Sequence, residues 1–193
     1  MLVGDKMKYD ISVGISNRHV HLTEEMYNKL FDEPIEKRND LHQIGQFAAK
    51  QTLTLKNGDK VIENVRVLGP FRKYNQIELS KKDARGLGLN PPVRTSGDLE
   101  NTPSITLVTK KSEVTIDGVI IADRHVHMNP IDAEKYGVVN GQKVRIEIPG
   151  DKSGVIDAYI KVSDDGYYEL HVDTDDGNAF LLNDNDILKM IID

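Results

Sequence analysis

The chain has 193 residues, 38% hydrophobic and 29% charged, with a formal net charge of -6, a balance that suits one large globular domain or two small ones and argues against a broad electrostatic grip on nucleic acid. It contains no cysteine, which excludes disulfides and thiolate metal sites, so any metal must be held by nitrogen or oxygen. The opening Met1 to Lys8 lacks the apolar core of a signal peptide, and no run approaches the roughly 20 apolar residues of a membrane span. The expectation is a cytoplasmic protein with no evident microcompartment-targeting extension, because only about ten residues precede the first strand-like segment.

In chain order, Ile11–Ser16 is the first β-branched run, and Thr23 can then cap a turn or two of helix through Leu30. A polar, irregular stretch follows over Phe31–Gln46, giving a long loop within 31–50. Strands are predicted over Gln51–Leu55, Val61–Leu68 and Tyr74–Leu79, before Ser80-Lys-Lys-Asp83, a capping box with Asp in place of Glu. Leu89–Thr102, with its paired prolines, reads as a second loop between that short helix and strands over Ile105–Thr109 and Val114–Ile121. Pro130–Tyr136 is a helix capped by Asn129 and stopped by Gly137. Strands over Val144–Ile148, Val155–Val162 and Tyr168–Val172 and a last helix over Asp186–Ile191 complete the pattern. The class is mainly β, with small barrels closed at their ends by short helices.

The chain also repeats itself, since Arg18-His-Val-His21 returns unchanged as Arg124-His-Val-His127, each copy between a strand-like and a helix-like run. Asn57-Gly-Asp-Lys-Val61 and Asn140-Gly-Gln-Lys-Val144 follow the two copies, each a Gly turn leading into a strand. Two similar β units are implied, although a twofold repeat can also be pseudo-symmetric packing without catalytic meaning. Alternation in a strand puts His19 and His21 on one face, roughly 6 to 7 Å apart, and His125 and His127 likewise, so each pair can close on a zinc-like ion. His171, on Tyr168–Val172, is either a third ligand or a hydrogen-bonded strand histidine, and His42 falls in the polar loop as a solvated residue. A ligand set without cysteine leans toward a catalytic site with an open position. Arg18 and Arg124 carry forks that match phosphate, but alternation turns Arg18 away from His19 and toward a salt bridge or a barrel-end contact. Arg72, in Gly69-Pro-Phe-Arg-Lys-Tyr74, is the better anion candidate, its alternative being a solvated turn.

Taken together, Val13-Gly-Ile-Ser-Asn-Arg-His-Val-His-Leu22, Gly45-Gln-Phe-Ala-Ala49, Leu68-Gly-Pro-Phe-Arg72 and Ala122-Asp-Arg-His-Val-His-Met128 resemble the PduL family of phosphotransacylases, or phosphate propanoyltransferases, essentially end to end. The resemblance implies two β-barrels interleaved in sequence, one from 8–17 plus 123–193 and one from 18–122, with a dinuclear zinc site between them. It implies that His19, His21 and Glu78 hold the zinc facing the coenzyme A sulfur and that His125, His127 and His171 hold the other. Arg72 inherits a catalytic role, and nothing in the residue pattern alone selects Glu78. The implied reaction interconverts acyl-CoA (propanoyl-CoA or acetyl-CoA) plus phosphate with acyl phosphate plus coenzyme A, in a homodimer with small-molecule substrates and neither nucleic acid nor membrane as partner. Two departures stand out: His42 where a small polar residue is common, and Asp176-Gly177 where Glu-Ala is usual.

Two other functions fit the same histidines. One is a zinc-dependent thioester hydrolase in which the centre activates water. The other is a non-enzymatic metal-binding β-barrel module, which predicts no dependence on coenzyme A or on Arg72.

Overall fold

The computed structural model describes residues 7–192. In chain order the elements are β1 (Met7–Ser16), β2 (His19–His21), α1 (Glu24–Leu30), β3 (Lys37–Asp40), β4 (Phe47–Asn57), β5 (Lys60–Gly69) and β6 (Gln76–Glu78). There follow α2 (Lys81–Gly86), β7 (Val93–Arg94), β8 (Ser104–Val108), β9 (Glu113–Asp117), β10 (Val119–Ala122) and β11 (His125–Met128). The last are α3 (Pro130–Tyr136), β12 (Lys143–Ile148), β13 (Gly154–Val162), β14 (Glu169–Asp173), α4 (Thr174–Phe180) and β15 (Ile187–Ile192). The chain is mainly β and divides into two compact units, one joining the segment ending at Ser16 to the segment from Asp123 onward, the other spanning Asn17–Ala122.

In the first unit, β1, β14, β11, β13, β12 and β15 close into a barrel. Alternation fills it: Ile11 and Val13 of β1, Val126 and Met128 of β11, Ile156, Ala158 and Ile160 of β13, and Leu170 and Val172 of β14 share one buried core. Each large aliphatic side chain so buried contributes about 1.5–3 kcal/mol. In the second unit the strands run β7-β10-β6-β2-β5-β4-β8-β9, with β3 added on β4. Its path stays open at β7 and β9, and Val20, Leu53, Leu55, Val65, Val67 and Ile77 build its separate core.

Local chemistry sets the breaks. Asn129 accepts the Asp132 N–H at 2.8 Å, Pro130 supplies a preset φ, and Gly137 ends α3 in the left-handed region at φ +68°. Gly118, at φ +116°, divides the single strand expected over Val114–Ile121 into β9 and β10. A Cβ there would lie 2.6 Å from the Asn75 carbonyl oxygen.

Several expectations are corrected. Asp186–Ile191 is not helical: β15 pairs with β1 and β12, and Leu188, Met190 and Ile192 recur with period two on the core face. Residues 31–50 are not one loop, because β3 pairs with Phe47–Ala49 and β4 begins at Phe47. The second loop holds β7, paired with β10. A helix not predicted from the sequence follows β14: Asp173 caps α4 (Thr174–Phe180) by accepting the Asp176 N–H at 2.9 Å. Both Asn-Gly turns do lead into a strand as expected, Asn57-Gly58 into β5 and Asn140-Gly141 into β12, although only the first closes a hairpin, joining β4 to β5.

Candidate metal centres and active site

The repeated motifs occupy the same place in each unit. β2 lies antiparallel to β6, with His19 opposite Glu78 and His21 opposite Gln76. β11 lies antiparallel to β14, with His125 opposite His171 and His127 opposite Glu169. Val20 and Ile77 in one pair, and Val126 and Leu170 in the other, point into the cores, so alternation gathers the remaining four residues of each pair on the opposite face. Each unit thus carries a square of side chains on two strands: His, His, Glu, Gln in one and His, His, His, Glu in the other.

The squares are tightly drawn. The His19 and His21 rings are 4.9 Å apart, and the His125 and His127 rings 4.6 Å apart. His19 Nε2 lies 3.4 Å and His21 Nε2 3.9 Å from the Glu78 carboxylate. His125 Nε2 faces His127 Nε2 at 3.1 Å, and the His127 and His171 rings meet edge-on at 4.6 Å. His19, His21 and His127 are buried, while Glu78, His125 and His171 are half-buried.

Backbone carbonyls fix the ring states. His19 Nδ1 is 2.7 Å from the Asn17 oxygen, and His125 Nδ1 is 2.8 Å from the Asp123 oxygen. A carbonyl oxygen can only accept, so Nδ1 carries the proton, and in the neutral ring Nε2 presents a lone pair to the square. Burial pulls the His19 imidazole down. The charge and hydrogen bond of Glu78, with the Asn17 carbonyl, outweigh burial and an opposing push from Arg72, so the net shift is upward.

Two triads, His19–His21–Glu78 and His125–His127–His171, bring one donor atom from each residue within 4.8 Å of the others. Donors around a tetrahedral ion with bonds of ~2.1 Å sit about 3.4 Å apart, so small side-chain adjustments close either triad. Oriented imidazoles with or without a carboxylate suit zinc or a similar borderline cation. The donor chemistry therefore fits.

The motif arginines are engaged by carboxylates of the chain itself. Arg18 pairs with Asp83, and Arg124 pairs with Asp176, each partner lying in the first turn of the helix that follows β6 or β14. Arg72 is half-buried between β5 and β6. Its backbone N–H donates to the Leu22 carbonyl and its guanidinium Nη2 to Gln46 Oε1, both at 2.9 Å. His42 is exposed on the segment between β3 and β4. Reading the sequence missed Gln46, Gln76, Tyr167 and Glu169. Tyr167 Oη lies 2.6 Å from His171 Nε2, its ring stacks on His127, and burial followed by the charge of Glu169 pushes its phenol pKa up. Gln76 and Glu169 were available from strand pairing, since both stand two residues before a triad member.

The model of one protein family, phosphate propanoyltransferase, matches residues 12–183. The chain belongs to this family. It is 47% identical over 186 residues to a phosphate propanoyltransferase of Thermotoga maritima, covering 94% of this chain and 89% of that protein. It is 46% identical over 173 residues to one of Citrobacter koseri, covering 88% and 82%. It is 39% identical over 186 residues to one of Rhodopseudomonas palustris, covering 94% and 82%. The chain is accordingly an acyltransferase, and both squares and Arg72 lie within the matched residues. Among the described residues no helix is long and apolar enough to cross a membrane.

Proposed function

We propose that this chain moves a propanoyl or acetyl group between coenzyme A and inorganic phosphate, with zinc held by His19, His21 and Glu78 and by His125, His127 and His171. The observation that carries the reading is the duplicated square, in which anchored imidazoles converge within metal-ligand reach in both units. When bound, zinc supplies Lewis acidity that favours thiolate over thiol and polarises carbonyl and phosphoryl oxygens.

The chain's own groups prepare the rest. The Asn17 and Asp123 carbonyls hold the first histidine of each pair in one tautomer, so no reorientation is needed when substrate arrives. Arg72 is the phosphate residue: the Leu22 carbonyl anchors its backbone, the Gln46 side chain holds its Nη2, and the other guanidinium N–H groups suit a tetrahedral oxyanion. In one direction the coenzyme A sulfur forms a bond to the acyl-phosphate carbonyl carbon, and the carbon–oxygen bond to phosphate breaks. In the other, a phosphate oxygen attacks the thioester carbon and the thiolate leaves. Arg72 offsets charge on the phosphate in both directions. No acyl-protein intermediate is needed.

The test is thiol release from propanoyl-CoA and acetyl-CoA, with and without phosphate, on zinc-replete protein and on His125→Ala. Release that requires phosphate and is lost in the variant supports the reading, and the two rates rank the acyl groups. Phosphate-independent release would instead make the chain a thioester hydrolase. No release from either substrate by folded, zinc-loaded protein would sink the transfer reaction for these acyl groups.

A further inference from the structure

Gln76 is fully buried, and both polar atoms of its side chain are hydrogen-bonded. The Gly97 N–H donates to Gln76 Oε1 at 2.8 Å. A backbone N–H can only donate, so this bond fixes the amide with its oxygen toward Gly97 and its nitrogen the other way. Nε2 then donates to Glu78 Oε1 at 2.6 Å and to Ser96 Oγ at 2.8 Å. One side chain therefore ties the carboxylate of the His19–His21–Glu78 triad to the 96–97 segment.

The equivalent corner of the other square has the complementary chemistry. Glu169, opposite His127 as Gln76 is opposite His21, is buried and places Oε1 3.3 Å from His171 Nε2. Where the third triad member is a carboxylate, its neighbour is an amide donor. Where the third member is an imidazole, its neighbour is acidic. Each square holds one acidic side chain, but at a different corner.

From this we infer that Gln76 is the positioning residue of Glu78: its amide aims Oε1 and sets how well that carboxylate completes the triad. The inference rests on the proposal that the triad holds zinc. Without that donor the Glu78 carboxylate is held less firmly in the orientation the triad uses, and the triad loses preorganisation, as happens when an outer partner of a metal ligand is removed.

The experiment uses the full chain with Gln76→Met, which keeps length and removes the donor, and Gln76→Asn, which keeps an amide but withdraws it by one methylene. Zinc is titrated against a chromophoric chelator, the visible spectrum of the cobalt-loaded protein is recorded, and melting is followed with and without metal. The expected result is about 10- to 100-fold weaker zinc binding at one of two sites in Gln76→Met, an altered cobalt spectrum, and a smaller loss in the same direction for Gln76→Asn. Should Gln76→Met fail to fold, Gln76→Asn decides. Unchanged zinc affinity and cobalt spectrum in a folded variant, with only the metal-free melting point lowered, would overturn the inference and leave Gln76 a prop for the 96–97 segment. Wild-type protein that takes up no zinc would overturn the triad reading beneath it, a distinct outcome.

Discussion

Arg124 grips the carboxylate of Asp176 with two hydrogen bonds of 2.7 Å, one from Nε and one from Nη2. In the other unit Arg18 reaches Asp83 through Nη1 alone, at 3.1 and 3.2 Å. Both braces join the residue before a motif's first histidine to the first turn of a helix, so each fixes where a His-x-His strand begins. The side-on fork of Arg124 is the stronger geometry, but its side chain is 39% exposed and solvent screens the pair. Double-mutant cycles in urea with Arg124→Ala and Asp176→Ala are expected to give a coupling of about 1 kcal/mol. The Arg18 and Asp83 cycle is expected to give less. Equal couplings would mean that the fork geometry does not matter.

Arg72 is the second target. If its guanidinium holds phosphate, Arg72→Ala is expected to lower kcat/KM for phosphate by about 100-fold. Arg72→Lys should restore little of it, because an ammonium offers a point charge without the planar fork. Gln46→Leu, which frees the arginine without removing it, should raise the KM for phosphate more than it lowers kcat. Steady-state kinetics with phosphate varied at saturating acyl-CoA check all three.

The two His-x-His pairs are legible in the sequence, more clearly than the strands that complete their squares or the frame around them. His-x-His on a strand is a period-two signal, and β2 and β11 obey it. The α3 boundaries were legible because Asn129, Pro130 and Gly137 each carry a local conformational reason. β15 is ambiguous in sequence because five apolar residues in six satisfy either periodicity, and only its pairing with β1 and β12 decides between them. α4 was hidden by a capping aspartate inside an acidic run. The Asp176-Gly177 departure acquires a reason there: Asp176 meets Arg124, and a Cβ at 177 would come within 3.0 Å of Ile15. Glu78 could not be picked out before its place opposite His19 was known, since cross-strand register is a long-range property.

Gly14 yields a prediction of its own. It pairs with His171 across β1 and β14, and a Cβ added there would lie 2.2 Å from Glu169 Oε1 and 3.1 Å from His171 Nε2. The obstructing atoms end side chains, so the barrel can fold if they swing away. Gly14→Ala is expected to cost about 1–3 kcal/mol and to reduce zinc retention at the His125–His127–His171 triad. Zinc content after dialysis and chemical denaturation test the two effects separately. A variant that loses stability but keeps its zinc would show that the space beside β1 matters to packing alone.

The upward shift at His19 predicts how pH and zinc act together. A histidine with a higher pKa in the folded than in the unfolded chain adds stability that is complete below the unfolded value, roughly 6.5, and is lost as pH rises through the folded value. Metal-free protein is therefore expected to lose this contribution as pH climbs above about 6.5. Zinc needs the neutral ring, so its stabilisation grows over the same interval. Melting curves with and without zinc, from about pH 6 to about pH 8.5, should draw apart as pH rises; Glu78→Gln should flatten that pH dependence, because it removes the partner that raises His19, and should narrow the gap at the high-pH end, because it removes a proposed ligand. A separation that stays constant across that range would mean that His19 does not bind the ion.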